Sequence, residues 1–197
     1  MRGRTTEALT ELARAKQLDQ VSAIFSSWYA YALFRNGALD SALTESERAR
    51  QIDSTILPAV NIGALIHLAA GRKAAARRIL ESLPAGGVMS NAAYVLAATG
   101  DTAAAMHVLR ALEARRPLPW FSEAARGMVM LAVNDTAHAL AAFEKAADRI
   151  GGFWTQYLPI ADPAFDQVRQ SPRFAALVRR AGLDERLLVA PIRRRSR

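Results

Sequence analysis

The fold is decided by the stretch GRKAAA at residues 71–76, in which a glycine is followed by a run of helix-forming residues. Two earlier stretches have the same form, GALDSA at residues 37–42 and GRTTEA at residues 3–8, so the glycines are twice 34 residues apart. GDTAAA at residues 100–105 follows after 29 residues, and NDTAHA at residues 134–139 after another 34. Glycine, and less often asparagine, adopts the positive φ that ends many helices. The sequence therefore predicts a repeating unit of helix, turn and helix.

Small residues accompany every turn at fixed distances. Five residues after the turn the chain has alanine, and seven residues before it alanine or glycine: Ala8, Ala42, Ala76, Ala105 and Ala139 after, and Ala30, Ala64, Ala93 and Gly127 before. A larger side chain at these positions would push the two helix axes apart. We expect the helices of each hairpin to cross there.

Composition also favours an all-α fold. Half of the 197 residues are apolar and only 7% are aromatic, which suits close helix packing better than a strand-rich sandwich. A chain of this length and apolar content can bury a core.

The period of 34 residues, the small residue before the turn, the residues Ala139, Phe143 and Ala146, and the closing Pro117 resemble the tetratricopeptide repeat family over residues 1 to about 151. The resemblance implies an α-solenoid, in which antiparallel helix hairpins form a right-handed superhelix. Two features depart from the family pattern. The large aromatic residue early in the first helix is missing or displaced, with Trp28 two places late, and most closing prolines are absent.

The predicted organisation is a row of repeats with a different segment at each end. Residues 1–18 form the second helix of a truncated repeat, 19–54 the first full repeat, 55–87 a short second repeat, 88–117 the third, 118–151 the fourth, 152–190 a helical cap, and 191–197 a basic tail predicted to be disordered. The stretch PAGG at residues 84–87 predicts the early end of the second repeat. In the cap, Asp162 and Ser171 precede Pro163 and Pro172, so each proline is predicted to open a short helix.

The first helix of the chain, which carries Leu9, Leu12 and Leu18 on its apolar side, has no first helix of its own repeat before it. We expect that the chain is a fragment or that something else packs against this helix. The cap resembles the end of repeat arrays at the C terminus of bacterial multidomain signalling and regulatory proteins. That resemblance implies a sensor or docking module whose effector domain lies upstream.

The sequence offers little that points to catalysis, a metal or a cofactor. Cysteine is absent, as are the phosphate loop, zinc-protease, nucleophile-elbow and calcium-loop motifs. His67, His107 and His138 fall in separate repeats, and the pair Asp162 and Asp166 is typical of helix capping. We therefore expect a binding protein with no catalytic residues, metal or cofactor.

One face of the first helices is predicted to line a concave groove. Its candidate partner-binding residues are Tyr31, Phe34, Arg35, Asn61, Leu65, Leu68, Tyr94, Phe121 and Met128. Two interpretations have equal weight: an apolar helix or extended segment of a protein partner, or of an upstream domain of the same parent chain, binds there, or these side chains are simply core. Only Arg35 and Asn61 could hold a terminal carboxylate, so that mode of peptide binding is disfavoured.

The net charge of +8 suggests an alternative partner, nucleic acid, contacted by arginines. We disfavour it because four arginines lie in the last five residues and no aromatic residues are interleaved for base stacking. A third possibility is a structural assembly subunit with the helix at residues 5–17 at the contact. No stretch is long and apolar enough to predict a membrane span, and the N terminus lacks the pattern of a signal peptide. We expect a cytoplasmic location, with an extracytoplasmic part of a membrane-anchored regulator as the alternative.

Overall fold

A computed structural model describes residues 5–82, 90–114, 119–150 and 163–180. Within these ranges the chain is all-helical and contains no strand. The helices are α1 Thr5–Leu18, α2 Ala23–Arg35, α3 Leu39–Ile52, α4 Leu57–Ala69, α5 Lys73–Leu80, α6 Ser90–Ala98, α7 Thr102–Ala114, α8 Pro119–Ala132, α9 Thr136–Ile150 and α10 Pro172–Arg180, with a 3₁₀ helix at Pro163–Gln167. The all-α prediction is confirmed.

The four predicted turns within the described ranges have the same backbone conformation. Gly37, Gly71, Gly100 and Asn134 have φ values of 80°, 77°, 97° and 62°. In each turn the next residue donates its N–H to the carbonyl five residues earlier, as Ala38 does to Leu33 over 3.0 Å. This is the hydrogen bond that closes a helix through a left-handed residue. The prediction that Asn134 replaces glycine in the fourth turn is confirmed.

The small residues beside the turns lie where two helices meet. Ala30, Ala42, Ala64, Ala76, Ala93, Ala105 and Ala139 are all completely buried. At the matching position in α8, a Cβ on Gly127 would lie only 2.2 Å from Cε1 of Phe143 on α9. The prediction that hairpin helices cross at these positions is confirmed.

Successive first helices also pack on one another, α2 on α4, α4 on α6 and α6 on α8. One core cluster follows this row from Phe34 through Leu65 and Met128 to the C-terminal Phe174. Helix α5 ends after eight residues, which agrees with the early end predicted for the second repeat. The PAGG stretch itself, like Pro117, lies outside the described residues.

The C-terminal segment covers the last hairpin. The ring of Phe165 stacks on Phe143 with centroids 5.9 Å apart and contacts Phe174 at 5.7 Å. Gln167 Nε2 donates a hydrogen bond of 3.1 Å to the carbonyl of Leu131, near the end of α8. Arg173 donates two hydrogen bonds to the carboxylate of Glu144 on α9, of 2.9 and 2.8 Å. Residues 163–180 thus form a cap.

Both prolines of the cap stand where the sequence placed them, with Pro163 opening the 3₁₀ helix and Pro172 opening α10. The remainder of the predicted cap, Asp162 and the basic tail at 191–197 lie outside the described residues.

Candidate partner-binding surface

The predicted groove residues lie inside the chain. Tyr31, Phe34, Arg35, Asn61, Leu65, Tyr94 and Met128 are buried, Leu68 is half-buried, and the side chain of Phe121 lies outside the described residues. The five apolar ones among the buried set belong to one continuous cluster that includes the cap. Their burial favours the interpretation in which these side chains are core, because side chains packed on one another offer little surface to a partner.

The two polar residues of this set are buried as well. The Arg35 guanidinium lies 5.8 Å from the ring centroid of Tyr31, within the range of a cation–π contact. Arg35 Nη1 and Asn61 Oδ1 have no hydrogen-bond partner in the described structure. Leaving such atoms unpaired costs about 1–3 kcal/mol each. Burial also keeps both residues from clamping a terminal carboxylate.

A different apolar surface is exposed at the junction of α1 and α2. It consists of Leu18, Val21, Ile24, Phe25 and Trp28, which we call the α1–α2 patch. Leu18 is 90% exposed, Val21 78%, Ile24 50%, and Phe25 and Trp28 37% each. Five large apolar side chains in eleven residues form a cluster of the kind that marks interaction sites on soluble proteins. Leu18, which was predicted on the apolar side of α1, is thus uncovered in the described structure.

Local hydrogen bonds order the backbone around the patch. The Ser22 side chain caps α2 by accepting the N–H of Phe25 over 3.3 Å. Asp19 Oδ1 accepts the N–H of Val21 over 3.3 Å, which fixes the loop between the helices. The Trp28 ring meets Tyr31 edge-on with centroids 6.1 Å apart, so the patch rests directly on the core.

Lys16 of α1 makes polar contacts with α2 and α3 beside the patch. The Lys16 ammonium lies 2.5 Å from the Glu45 carboxylate on α3 and 4.8 Å from the ring centroid of Tyr29 on α2. Arg48 donates to the carbonyl of Gln20 over 3.1 Å. Lys16, Gln20, Tyr29 and Arg48 border a cleft of about 320 Å³ between the three helices. Every described side chain of α1 is at least partly exposed, and the helix packs on α2.

The three histidines lie apart. His67 is buried on α4, and this burial lowers its pKa, although Glu47 lies 3.8 Å from its Nε2. His107 is exposed on α7, and His138 is exposed beside Asp135, 2.8 Å from its carboxylate. The described residues contain no group of three or more His, Asp, Glu or Cys side chains that could hold a metal ion.

Three arginines outside the basic tail are in ion pairs with carboxylates of neighbouring elements. Arg77 lies 3.0 Å from Asp101, and Arg180 lies 2.9 Å from Asp148. Arg72 lies 3.5 Å from the Glu47 carboxylate. These contacts join neighbouring elements of the chain, so the arginines have a structural role in the described region.

Comparisons with protein-family models, curated proteins and solved structures found no match to this chain. No helix among those described has both the length and the apolar character needed to cross a membrane.

The sequence predicted an uncovered apolar face on α1, but Phe25 and Trp28 on α2 were not among the predicted binding residues, although Trp28 carried a signal. The residue lies two places later than the aromatic in the pattern that the repeats resemble, and it is 37% exposed. Periodicity predicts that Phe25 and Trp28 lie on an apolar face of their helix. It does not predict whether another helix packs on that face.

Proposed function

We propose that this chain is a protein-binding repeat module of the tetratricopeptide type, built as a right-handed α-solenoid, that docks a helix or peptide segment of a partner protein. In this proposal it serves as a sensor or docking part of a bacterial regulatory or signalling protein, and its mechanism is binding without chemistry. Support comes from the four hairpins with closely similar turns and from the row of stacked first helices.

The observation that carries the proposal is the α1–α2 patch. Its five side chains are large and apolar; Ser22 caps the helix that carries Phe25 and Trp28, and the Trp28 ring contacts Tyr31 of the core. Tryptophan is among the residues that contribute most to protein interfaces, because its large surface leaves water at a small cost in conformational entropy. We therefore place the partner on this surface and not on the buried face first predicted.

The test compares partner binding by the full chain and two variants. The patch variant carries Leu18→Ser, Val21→Ser and Trp28→Ala. The control carries Val133→Ser, which removes an apolar residue at the other end of the array that is 40% exposed, close to the 37% of Trp28. After cross-linking in the native host, wild type and control are expected to retain the same protein, and the patch variant to lose it. Equal retention by all three folded proteins, or no retained protein, would refute the proposal.

Phosphate binding by the arginines is the competing function, and salt separates the two. Affinity for a random DNA duplex that falls steeply between about 50 and 200 mM salt would support it. The ion pairs of Arg72 and Arg77 leave less positive charge available on α5. We therefore expect no duplex binding at moderate salt.

A further inference from the structure

Three helices contribute to the cleft of about 320 Å³ beside the patch, which we call the three-helix cleft. Its lining residues come from α1, the loop after α1, α2 and α3: Ala13, Lys16, Gln17, Gln20, Tyr29 and Arg48. The volume lies at the lower end of the range of small-molecule sites in proteins. A small molecule bound here would contact α1 and both helices of the first hairpin at the same time.

Lys16 is held at the cleft by contacts within the chain. Its ammonium lies 2.5 Å from the Glu45 carboxylate, and the side chains of the two residues are only 13% and 12% exposed. The ammonium also lies 4.8 Å from the ring centroid of Tyr29. Because Glu45 balances the charge of Lys16, this pair adds no net charge to the cleft.

Arg48 differs from other arginines that join neighbouring elements of the fold. Arg72, Arg77 and Arg173 each pair with a carboxylate, at N–O distances of 3.5, 3.0 and 2.8 Å. Arg48 instead donates a hydrogen bond of 3.1 Å from Nη2 to the carbonyl of Gln20, and no carboxylate among the described residues pairs with it. The cleft therefore carries one positive charge that the described part of the chain does not balance.

Gln17 and Gln20 add neutral hydrogen-bonding groups to the same cleft. Within the described ranges, their side-chain amides make no hydrogen bond to the protein. Each amide can donate two hydrogen bonds and accept two. A ligand that matches this lining has an anionic group for Arg48 and an amide or hydroxyl group for the two glutamines.

The anionic group that fits best is a single carboxylate. The planar guanidinium of arginine can donate two parallel hydrogen bonds to a planar carboxylate. A phosphate would bring further negative charge, for which the cleft has no second unbalanced cation. It would also lie close to the C-terminal end of α1 at Leu18, where the helix dipole is negative.

We infer that the three-helix cleft binds a small molecule that carries one carboxylate and an amide or hydroxyl group. Its carboxylate pairs with Arg48, and Gln17 and Gln20 bind the remainder, so the ligand holds α1 against α2 and α3. The inference rests on the proposed function and gives the sensor module its input. Since Leu18 of the α1–α2 patch belongs to α1, a bound ligand would order the helix beside the partner surface.

The probes are two small carboxylates, N-acetylglycine with an amide group and gluconate with hydroxyl groups. N-acetylglycinamide, which lacks the charge of the first probe, is the control ligand. We expect at least one carboxylate to shift the amide NMR signals of α1 and α3 residues at the cleft in the isotope-labelled full chain. The control ligand should leave these signals unchanged. Hydrogen exchange in α1 should slow when the carboxylate is bound.

Two variants test the residues assigned to the site. Arg48→Gln removes the charge and should weaken carboxylate binding about tenfold or more, because hydrogen bonds to charged groups are the strong ones. Gln17→Ala changes an exposed helical position, so it should keep the fold while weakening binding. Arg78→Gln on α5 is the matched control, since it removes an equal charge from an exposed position and should leave binding unchanged.

Three results would overturn the inference: no signal shift with either carboxylate at about 10 mM, equal affinity for N-acetylglycine and its amide, or unchanged affinity in a folded Arg48→Gln variant. If both probes fail while Arg48→Gln loses a cross-linked protein, the carboxylate belongs to a partner's side chain and the small-molecule assignment is wrong. Carboxylate binding without any patch-dependent partner would leave the cleft assigned and refute the proposed docking function.

Discussion

Replacing Gly127 by alanine should destabilise the protein although it improves helix propensity. The new Cβ would lie 2.2, 2.5 and 2.8 Å from three ring atoms of Phe143. The ring cannot easily move away, because Phe165 stacks on it with centroids 5.9 Å apart. Overpacking of this kind costs about 1–3 kcal/mol. Alanine regains about 1 kcal/mol in a helix interior, so with the clash at the upper end we expect a net loss of about 2 kcal/mol.

Gly63 provides the matched control, since it is also in a helix interior. A Cβ there would lie 3.3 Å from Cδ of Arg50, a flexible side chain, and 3.9 Å from Ile79. Gly63→Ala should therefore be neutral or stabilise by up to about 1 kcal/mol. Opposite signs at the two glycines would separate packing from helix propensity.

A second substitution should reverse the sign at Gly127. In the two preceding hairpins the counterpart of Phe143 is a leucine, Leu80 or Leu109, and it occurs together with alanine at the Gly127 position. In a Phe143→Leu background, Gly127→Ala should thus become neutral or stabilising. Urea denaturation of the four proteins in the cycle should give a coupling free energy of about 2–3 kcal/mol. A coupling below about 0.5 kcal/mol, or a more stable single Gly127→Ala variant, would refute the packing argument.

Three further predictions concern the turns, the buried histidine and the cap. Gly71 has a φ of 77°, and an added Cβ there would meet no other atom within 4 Å. Gly71→Ala should therefore lower the free energy of unfolding, measured by urea denaturation, by about 1–2 kcal/mol from backbone strain alone. Asn134→Gly should change it little or not at all. Burial lowers the pKa of His67 from its usual 6.5, so its contribution to stability is complete above that pH and is lost as the pH falls toward the lowered pKa. Thermal unfolding of His67→Leu should accordingly depend less on pH between about 8 and 5 than that of the wild type; equal dependence would contradict this. Arg173 holds the pKa of Glu144 below its usual value, and because the pair is largely exposed, Glu144→Gln should lower the melting temperature slightly, with a difference that shrinks at high salt.

The sequence predicted the features of the fold that are determined locally. A positive φ restricts Gly37, Gly71 and Gly100 whatever surrounds them, and Asn134 is the usual replacement. The small residues at helix crossings could also be predicted, because two backbones in close contact leave no room for a larger side chain. The helix starts at Pro163 and Pro172 follow from the fixed φ of proline.

Which apolar surface is exposed is not determined locally, and the sequence predicted it less well. Tyr31, Leu65 and Tyr94 lie on the first helices as expected, but packing within the row of helices buries them. Exposure depends on what packs against a face, whereas periodicity reports only that the face is apolar. Phe25 and Trp28 were detectable in principle, as large residues at repeat positions where the other hairpins have smaller ones.

The cap has a consequence for stoichiometry. A row of repeats with an apolar surface at each end would associate head to tail, and such contacts extend into filaments unless they close into a ring. Here Phe165 and Phe174 cover the C-terminal end, and Gln167 donates a hydrogen bond to a carbonyl near the end of α8. Because residues 163–180 already pack on the last hairpin, a contact made through the α1–α2 patch should not extend head to tail into a filament by way of this face.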